Sequence, residues 1–318
     1  DENLLDDLAA ELGTSNNALE VRYPAQGQRQ IKDLREIKLD AVGDGPALQG
    51  RVVWITGGLG GVGWEFTRCL AAEKGMKIAL SGRSPLDEQR QAKLDALSAL
   101  GVEAAYFQGD VTQESDVNRI VTAIEQLFGG LNGIIHAAGV VRDALIRDKQ
   151  PEQVISVLAP KVAGTLLLDA ATRHCDLDFM LLCSSLTGVL GNPGQADYAA
   201  ANAFLDAFAT HRNRQLKQGL AKGKTITLDW PLWRAGGMGM SAEQERVLKQ
   251  TTGMSAMPTF RGMQALELAL RHDHEQILVA HGERATMLNT LLPSHSQAKS
   301  TRKTAAQPAQ LEQKQVKL

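Results

Sequence analysis

The sequence predicts an α/β protein built on a doubly wound parallel sheet, with a small N-terminal piece set apart from it. Three observations carry that prediction. The first is the stretch Arg51–Gly63, RVVWITGGLGGVG. Its Val52, Val53, Trp54 and Ile55 form a short apolar run of the kind buried on both faces of a sheet. Glycines 57, 58, 60, 61 and 63 then crowd the turn, and Trp64–Ala72 reads as a helix. The second observation is the alternation of such strands with helical segments from Arg51 onward, the pattern of repeated βα units with right-handed crossovers. The third is composition: 318 residues at 43% hydrophobic suffice for a sizeable core. That length fits two domains of about 150 residues, or one α/β domain of about 250 with appendages.

In chain order, Asp1–Leu12 reads as an amphipathic helix with Leu4, Leu5, Leu8 and Leu12 on one side. Leu19–Tyr23 and Ile31–Leu39 suggest short strands. Residues 1–48 are too few to bury a core of their own, so they should pack on the main unit or on another partner. Val42–Gly50 reads as a linker. From there, residues 49–292 form the main unit. Lys77–Leu80 is a second strand, Pro85–Leu100 a helix, and Val102–Phe107 a third strand. Glu114–Phe128 is a helix with Thr112 as its N-cap, and Leu131–His136 a fourth strand. Glu152–His174 is a long helix bent near Pro160 and Gly164. Leu177–Cys183, the helix Ala196–Gln218 and the strand Thr225–Asp229 come next. Thr259–Arg271 is a helix and Gln276–Ala280 a last strand. Between them, Pro231–Thr252 begins with glycine and methionine after a strand carboxyl end, where open sheets bind ligands, and reads as a lid. An ordinary surface excursion is its plainer reading. The polar tail 293–318 reads as a disordered linker.

A net charge of −2 provides no field for nucleic acid or anionic lipid. Cys69, Cys175 and Cys183 read as small buried hydrophobes in a reducing compartment. His174 and Cys175, with no further ligand nearby in sequence, make no metal site. No apolar run approaches membrane length and the acidic start is no signal peptide, so a soluble cytoplasmic protein is expected.

Strand, glycine turn and helix together turn Gly58–Gly63 into a dinucleotide-binding fingerprint. Gly57, Gly58, Leu59, Gly60 and Gly63 would let backbone approach a pyrophosphate at the helix N-terminus. Folds that prefer NAD place an acid about 20 residues further on. Here that place holds Ser81-Gly82-Arg83-Ser84, and Arg83 with Ser84 suits a 2′-phosphate, which points to NADPH over NADH. A solvated arginine is the alternative. Asp110 and Val111, ending the third strand, are placed to border an adenine, although Asp110 also reads as a turn or cap residue. Ala137, Ala138 and Gly139 would admit a ribose or nicotinamide, or simply make a tight strand exit.

The sharpest cluster is Ser184-Ser185 at the end of the fifth strand, with Tyr198 thirteen residues after Ser185. Tyr198 and Asn202, at i and i+4, share one helix face. A serine hydroxyl and a tyrosine beside a nicotinamide suit carbonyl reduction. A phenol's ordinary pKa near 10 calls for a cation close by. Position 202 is asparagine, which leaves Lys161 on the preceding helix as the candidate. Taken singly, Tyr198 also reads as a half-buried surface tyrosine and Lys161 as part of a solvated face.

With these residues in view, the chain resembles the ketoreductase domain of modular polyketide synthases, within the short-chain dehydrogenase/reductase superfamily, from about Val21 to Leu292. The landmarks are ITGGLGGVG, SGRS, GDV, HAAGV, LAPKVAGT, CSSLTGVLGNPGQADYAAANAFLDA and LDWPLW. The resemblance implies a Rossmann fold and reduction by NADPH of a β-ketoacyl thioester on an acyl carrier protein, among neighbouring synthase domains. It implies Tyr198 as proton donor, Ser185 as the hydroxyl that orients the carbonyl, Lys161 as the cation that lowers the tyrosine pKa and binds ribose, and Asn202 in the proton relay. Pro231 joins the implied cofactor contacts. Residues 1–48 resemble the end of the family's truncated structural subdomain.

The family's B-type members carry an LDD motif whose last aspartate aligns with Asp143. Here Val141-Arg142 departs from that motif. A-type members carry a tryptophan where this chain has Leu190. Asp143 without that tryptophan resembles the B-type and implies a D-configured hydroxyl. The degenerate motif is reminiscent of trans-acyltransferase synthases. The rival readings are a freestanding carbonyl reductase, which would need neither the N-terminal piece nor the tail, and a redox-silent scaffold or epimerising module.

Overall fold

The structure, a computed structural model, describes residues 4–13, 20–23, 29–37, 48–236 and 239–292. An N-terminal group holds α1 (Leu4–Leu12), β1 (Val21–Arg22) and β2 (Gln30–Ile31), the two strands pairing antiparallel. The main unit opens with β3 (Val52–Thr56), α2 (Gly61–Leu70), β4 (Lys77–Gly82), α3 (Glu88–Ala99) and β5 (Glu103–Gln108). Next come α4 (Glu114–Phe128), β6 (Gly133–His136), α5 (Pro151–Lys161), α6 (Ala163–Ala171), β7 (Phe179–Ser185) and α7 (Leu186–Leu190). The chain continues through α8 (Ala196–Lys217), β8 (Lys224–Trp230), α9 (Ala242–Thr252), α10 (Thr259–Arg271), β9 (Gln276–Leu278) and α11 (Arg284–Leu291).

β3 to β9 form one parallel sheet in the order β5-β4-β3-β6-β7-β8-β9. The sheet grows outward in both directions from β3 and β6, so the crevice beyond their carboxyl ends is the switch point where such sheets take ligands. Burial on both faces explains the uninterrupted apolar strands. Val53, Ile55 and Leu80 pack on one face with Phe66 of α2, Leu97 of α3 and Leu266 of α10. Val52, Trp54 and Ile134 pack on the other with Ile120 of α4, Leu168 of α6 and Leu205 of α8. Phe66 lies 5.8 Å from Trp230 and 5.6 Å from Trp233, ring centre to centre. Removing a ring so buried costs about 3–5 kcal/mol.

Arg212 of α8 is buried and holds the approach to β8. Its guanidinium donates to Asp169 at 2.7 Å, to Thr225 Oγ1 at 2.9 Å, and to the carbonyls of Gly223 and Lys222 at 2.8 Å. The N-terminal group touches the main unit through Arg284 of α11, which donates to both carboxylate oxygens of Glu36 at 3.0 and 2.8 Å.

Several elements differ from expectation. The helix expected at Trp64 starts at Gly61, because the glycine turn already supplies its first turn. The long helix over 152–174 is two helices that part at Val162 (φ −87°, ψ −70°), just after Pro160, which has no N–H to continue the ladder. Thr112 is not the N-cap of α4. Gln113 takes that position, and the Thr112 hydroxyl donates to Asp110 Oδ1 at 2.8 Å. The strand expected over Ile31–Leu39 is reduced to Gln30–Ile31, with 32–37 irregular. Helices α7 and α11 have no counterpart in the pattern read from sequence. Most of the stretch 42–50 read as a linker, residues 237–238 of the stretch read as a lid or surface excursion, and the tail 293–318 lie outside the described residues.

One expectation about length needs correction. Pro151–Ala171 spans 21 residues at mean hydropathy 1.6, long and apolar enough to cross a membrane by length and composition. Here it is the pair α5–α6, which is broken and packs on α8 and α4.

Candidate active site

A cavity of about 1110 Å³ opens at the carboxyl ends of the central strands. The glycine turn forms one wall. Gly57 has φ +69°, and a Cβ there would sit 3.3 Å from the backbone of Ala137 and Ala138. A Cβ on Gly63 would come 2.4 Å from the Gly57 carbonyl oxygen, so the turn and α2 pack too closely for any side chain. The cradle fits a dinucleotide: bare backbone lies beside the N-terminus of α2, with no acidic side chain in its first turn.

Of the expected cofactor residues, Gly57, Gly60, Arg83, Asp110, Val111, Ala137, Ala138, Gly139, Lys161, Tyr198 and Pro231 line this cavity. Gly58, Leu59, Gly63 and Ser84 do not. Gly58 and Gly63 shape the turn from behind, and Leu59 is buried, its carbonyl accepting from Lys93 Nζ at 2.6 Å. Ser84 is exposed, and its carbonyl accepts from the Tyr106 hydroxyl at 2.5 Å. Arg83 also borders a second, open cavity of about 690 Å³ shared with Arg119, a cation that sequence reading missed.

The reactive side chains converge from three elements. Ser185 ends β7 and caps α7, its Oγ accepting from Thr187 N at 3.3 Å. Tyr198 stands in the first turn of α8, half-buried and facing the cavity. Burial raises its pKa, while hydrogen bonds with the Asn202 and Ser185 side chains pull it down. Lys161 ends α5 with its Nζ 5.8 Å from the centre of the Tyr198 ring, donating to the Cys183 carbonyl at 2.7 Å. The lowered tyrosine pKa expected from sequence is therefore not what this geometry has: the direction is upward, and the groups opposing it are Asn202 and Ser185. Burial also brings Lys161 down to about 8, with Cys183, Asp206 and Asp229 working the other way.

Asn202 is fully buried and lies outside the cavity lining. Its Nδ2 donates to the Tyr198 carbonyl at 2.7 Å, and its Oδ1 has no hydrogen-bond partner among the described residues. Its own carbonyl accepts from Ser184 Oγ at 3.3 Å. Behind Ser184, Asp206 of α8 and Asp229 of β8 are buried within hydrogen-bonding reach of each other. Burial raises both, Asp229 to about 8, which favours a proton shared between them. Gln276 Nε2 donates to Asp229 Oδ2 at 2.8 Å.

Asp143 lines the cavity and is gripped by Gln195, the residue before α8, whose Nε2 lies 3.0 and 3.1 Å from its two oxygens. Gln195 Oε1 accepts from Asn192 Nδ2 at 2.9 Å and from Thr187 Oγ1 at 3.3 Å. Sequence reading missed Gln195, whose one signal is the loop GNPGQ just before the tyrosine, a segment that reads as a plain turn. A buried Lys149–Asp197 pair at 2.7 Å anchors the start of α8, where Asp197 Oδ1 accepts from Tyr198 N at 2.9 Å.

His136 ties the floor together. Its Nδ1 meets Thr56 Oγ1 at 2.7 Å and its Nε2 meets the Pro160 carbonyl at 2.9 Å. Thr56 Oγ1 also accepts from Ala138 N at 3.2 Å. The carbonyl requires an Nε2–H donor, and in the neutral ring that burial favours Nδ1 is then the acceptor from the Thr56 hydroxyl. Burial, with Lys161 beside it, pushes its pKa down to about 3.

A family model described as the KR domain matches residues 51–235. Polyketide synthase PksL of Bacillus subtilis (strain 168) is 44% identical over 270 residues, which cover 82% of this chain and 6% of that protein. Polyketide synthase PksN of the same organism is 41% identical over 288 residues, 90% of this chain and 5% of that one. The chain thus spans about a twentieth of the length of these relatives. Among solved structures, a ketoreductase domain from the bacillaene assembly line superposes with a TM-score of 0.83 at 38% identity, covering 92% of this chain and 68% of that one.

Proposed function

The chain belongs to the KR domain family of polyketide synthases, and from that premise we propose that it reduces a β-ketoacyl thioester on an acyl carrier protein, using NADPH. The observation that carries the proposal is the meeting of Tyr198, Ser185 and Lys161 in one cavity with the glycine turn.

When bound, NADPH would supply hydride to the ketone carbon. The remaining work falls to the chain itself. Ser185 Oγ–H and Tyr198 O–H donate to the ketone oxygen, and negative charge on that oxygen draws the tyrosine proton across as the alcohol forms. Burial favours the neutral phenol, which keeps the proton on Tyr198 until that charge develops. Lys161, held at the cavity floor, would meet the nicotinamide ribose and stabilise the phenolate left behind. The unpartnered Asn202 Oδ1 is an acceptor suited to orienting a proton donor on the path back to the tyrosine. Arg83, on the wall beside the switch point, suits the 2′-phosphate.

Asp143 and Leu190 both line the cavity, which supports the B-type reading and a D-configured hydroxyl. The partners proposed are a phosphopantetheine-bearing carrier domain and neighbouring synthase domains, in the cytoplasm. The test is incubation with a carrier-bound β-ketoacyl thioester and NADPH, followed by chiral analysis of the product. Cofactor consumption giving the D-alcohol is the expected outcome. A faster rate on simple free ketones than on the carrier-bound thioester would favour a freestanding carbonyl reductase. Cofactor binding without turnover would favour a redox-silent module.

A further inference from the structure

We propose that Glu125, His174 and Cys175 form a divalent metal site of the zinc class, at the amino end of the sheet, opposite the cavity. The fold brings to His174 and Cys175 the third ligand that their neighbourhood in the sequence lacks. Glu125 stands in the last turn of α4, and the other two lie between α6 and the amino end of β7.

The geometry is that of a ligand set. His174 Nε2 lies 2.9 Å from Glu125 Oε1. Cys175 Sγ lies 3.7 Å from that same oxygen and 3.7 Å from His174 Nε2. A triangle with these edges has its centre about 2.0 Å from each corner. Zinc binds imidazole nitrogen and carboxylate oxygen at about 2.0–2.2 Å and thiolate at about 2.3 Å, so one ion fits with a small outward shift of the sulfur.

The electrostatics agree. Helices α4 and α6 pack against each other, and both end at this cluster with no basic residue in the last turn. Their carboxyl ends direct partial negative charge at the spot where a cation would sit. Neighbouring cations are engaged elsewhere: Arg173 with Asp169 at 2.9 Å and Lys222 with Asp176 at 2.6 Å.

Binding is balanced by loss of one proton. The Cys175 thiol releases H⁺ to solvent, neutral His174 offers Nε2, and Glu125 is already a carboxylate. A dication with one thiolate and one carboxylate gives a neutral centre. A sulfur ligand selects zinc or cobalt over magnesium or calcium. Cys175 is buried while Glu125 and His174 reach solvent, which leaves a fourth position for water. The site would clamp the end of α4 to the connection entering β7.

The test uses the intact chain titrated with Co²⁺ alone, then with Zn²⁺ as competitor. The expected result is a near-ultraviolet thiolate-to-cobalt charge-transfer band with visible bands of four-coordinate intensity, both removed by zinc. Cys175→Ser should abolish the charge-transfer band. The solvent-facing changes His174→Ala and Glu125→Gln should each weaken cobalt binding at least about tenfold. Zinc should raise the melting temperature of the wild-type chain and not of H174A, and should leave NADPH oxidation unchanged. A silent spectrum at saturating cobalt, or the same band and affinity in all three variants, overturns the proposal.

Discussion

Gln195 holds Asp143 by a single amide nitrogen placed 3.0 and 3.1 Å from the two carboxylate oxygens. Asp143 belongs to the loop after β6 and Gln195 to the entry of α8, so the contact ties two parts of the cavity lining together near Tyr198. A hydrogen bond to a charged group is worth about 1.5–3 kcal/mol, and freeing Asp143 should relax how the substrate is presented. Gln195→Ala is expected to raise the minor alcohol stereoisomer by about tenfold or more while NADPH affinity stays near wild type. Chiral chromatography of the product, beside cofactor titration, checks it.

Tyr198→Phe removes the proton donor and leaves the ring that packs in the wall. General acid catalysis contributes about 10²–10⁴-fold, so kcat should fall by that range with little change in NADPH dissociation constant. Single-turnover rates measured at saturating cofactor would show it. A variant as fast as wild type would refute the role assigned to the phenol.

Arg83→Ala should discriminate between cofactors. Loss of a charge-assisted contact to a phosphate corresponds to about 10–100-fold in the KM for NADPH. NADH has no 2′-phosphate, so its KM should hardly move, and the ratio of the two constants is the measurement.

The buried Asp206–Asp229 pair predicts a pH dependence of stability. Asp229 titrates at about 8 in the folded chain and near 3.8 unfolded, so between those values the native state binds the extra proton. Its contribution is complete at low pH and is lost as pH rises through about 8. Lys161 runs the other way in a higher window: it is at about 8 when folded against 10.5 unfolded, so raising pH across that interval relieves a penalty. Asp229→Asn should therefore flatten the fall in melting temperature between about pH 5 and 8, and should stabilise the chain by on the order of 1 kcal/mol at about pH 8. Thermal melts of both chains across that range decide the matter.

How far the sequence alone could reach depended on the kind of signal. Val52–Thr56 and its sister strands were legible because burial on both faces leaves an unbroken apolar run. The meeting of Ser185 with Tyr198 was legible through spacing along one strand, one loop and one helix. Helix α7 escaped because five residues containing Gly188 carry no usable period. The Gln195–Asp143 and Lys149–Asp197 contacts escaped because polar pairs across distant loops leave no periodic mark. The direction of the Tyr198 shift was illegible for a related reason. The depth of burial is set by packing, and proximity to a lysine says nothing about it.

His136 has one more consequence. Its ring is a neutral strut of fixed length between Thr56, which also receives the Ala138 amide, and the carbonyl of Pro160, the residue before Lys161. It cannot gain charge at any pH near neutrality, with its pKa pushed down to about 3, so neither of its hydrogen bonds switches polarity. The backbone behind the dinucleotide cradle and the end of the helix that carries the lysine are thereby gauged to one another. A shift in either is delivered to the other through a single imidazole.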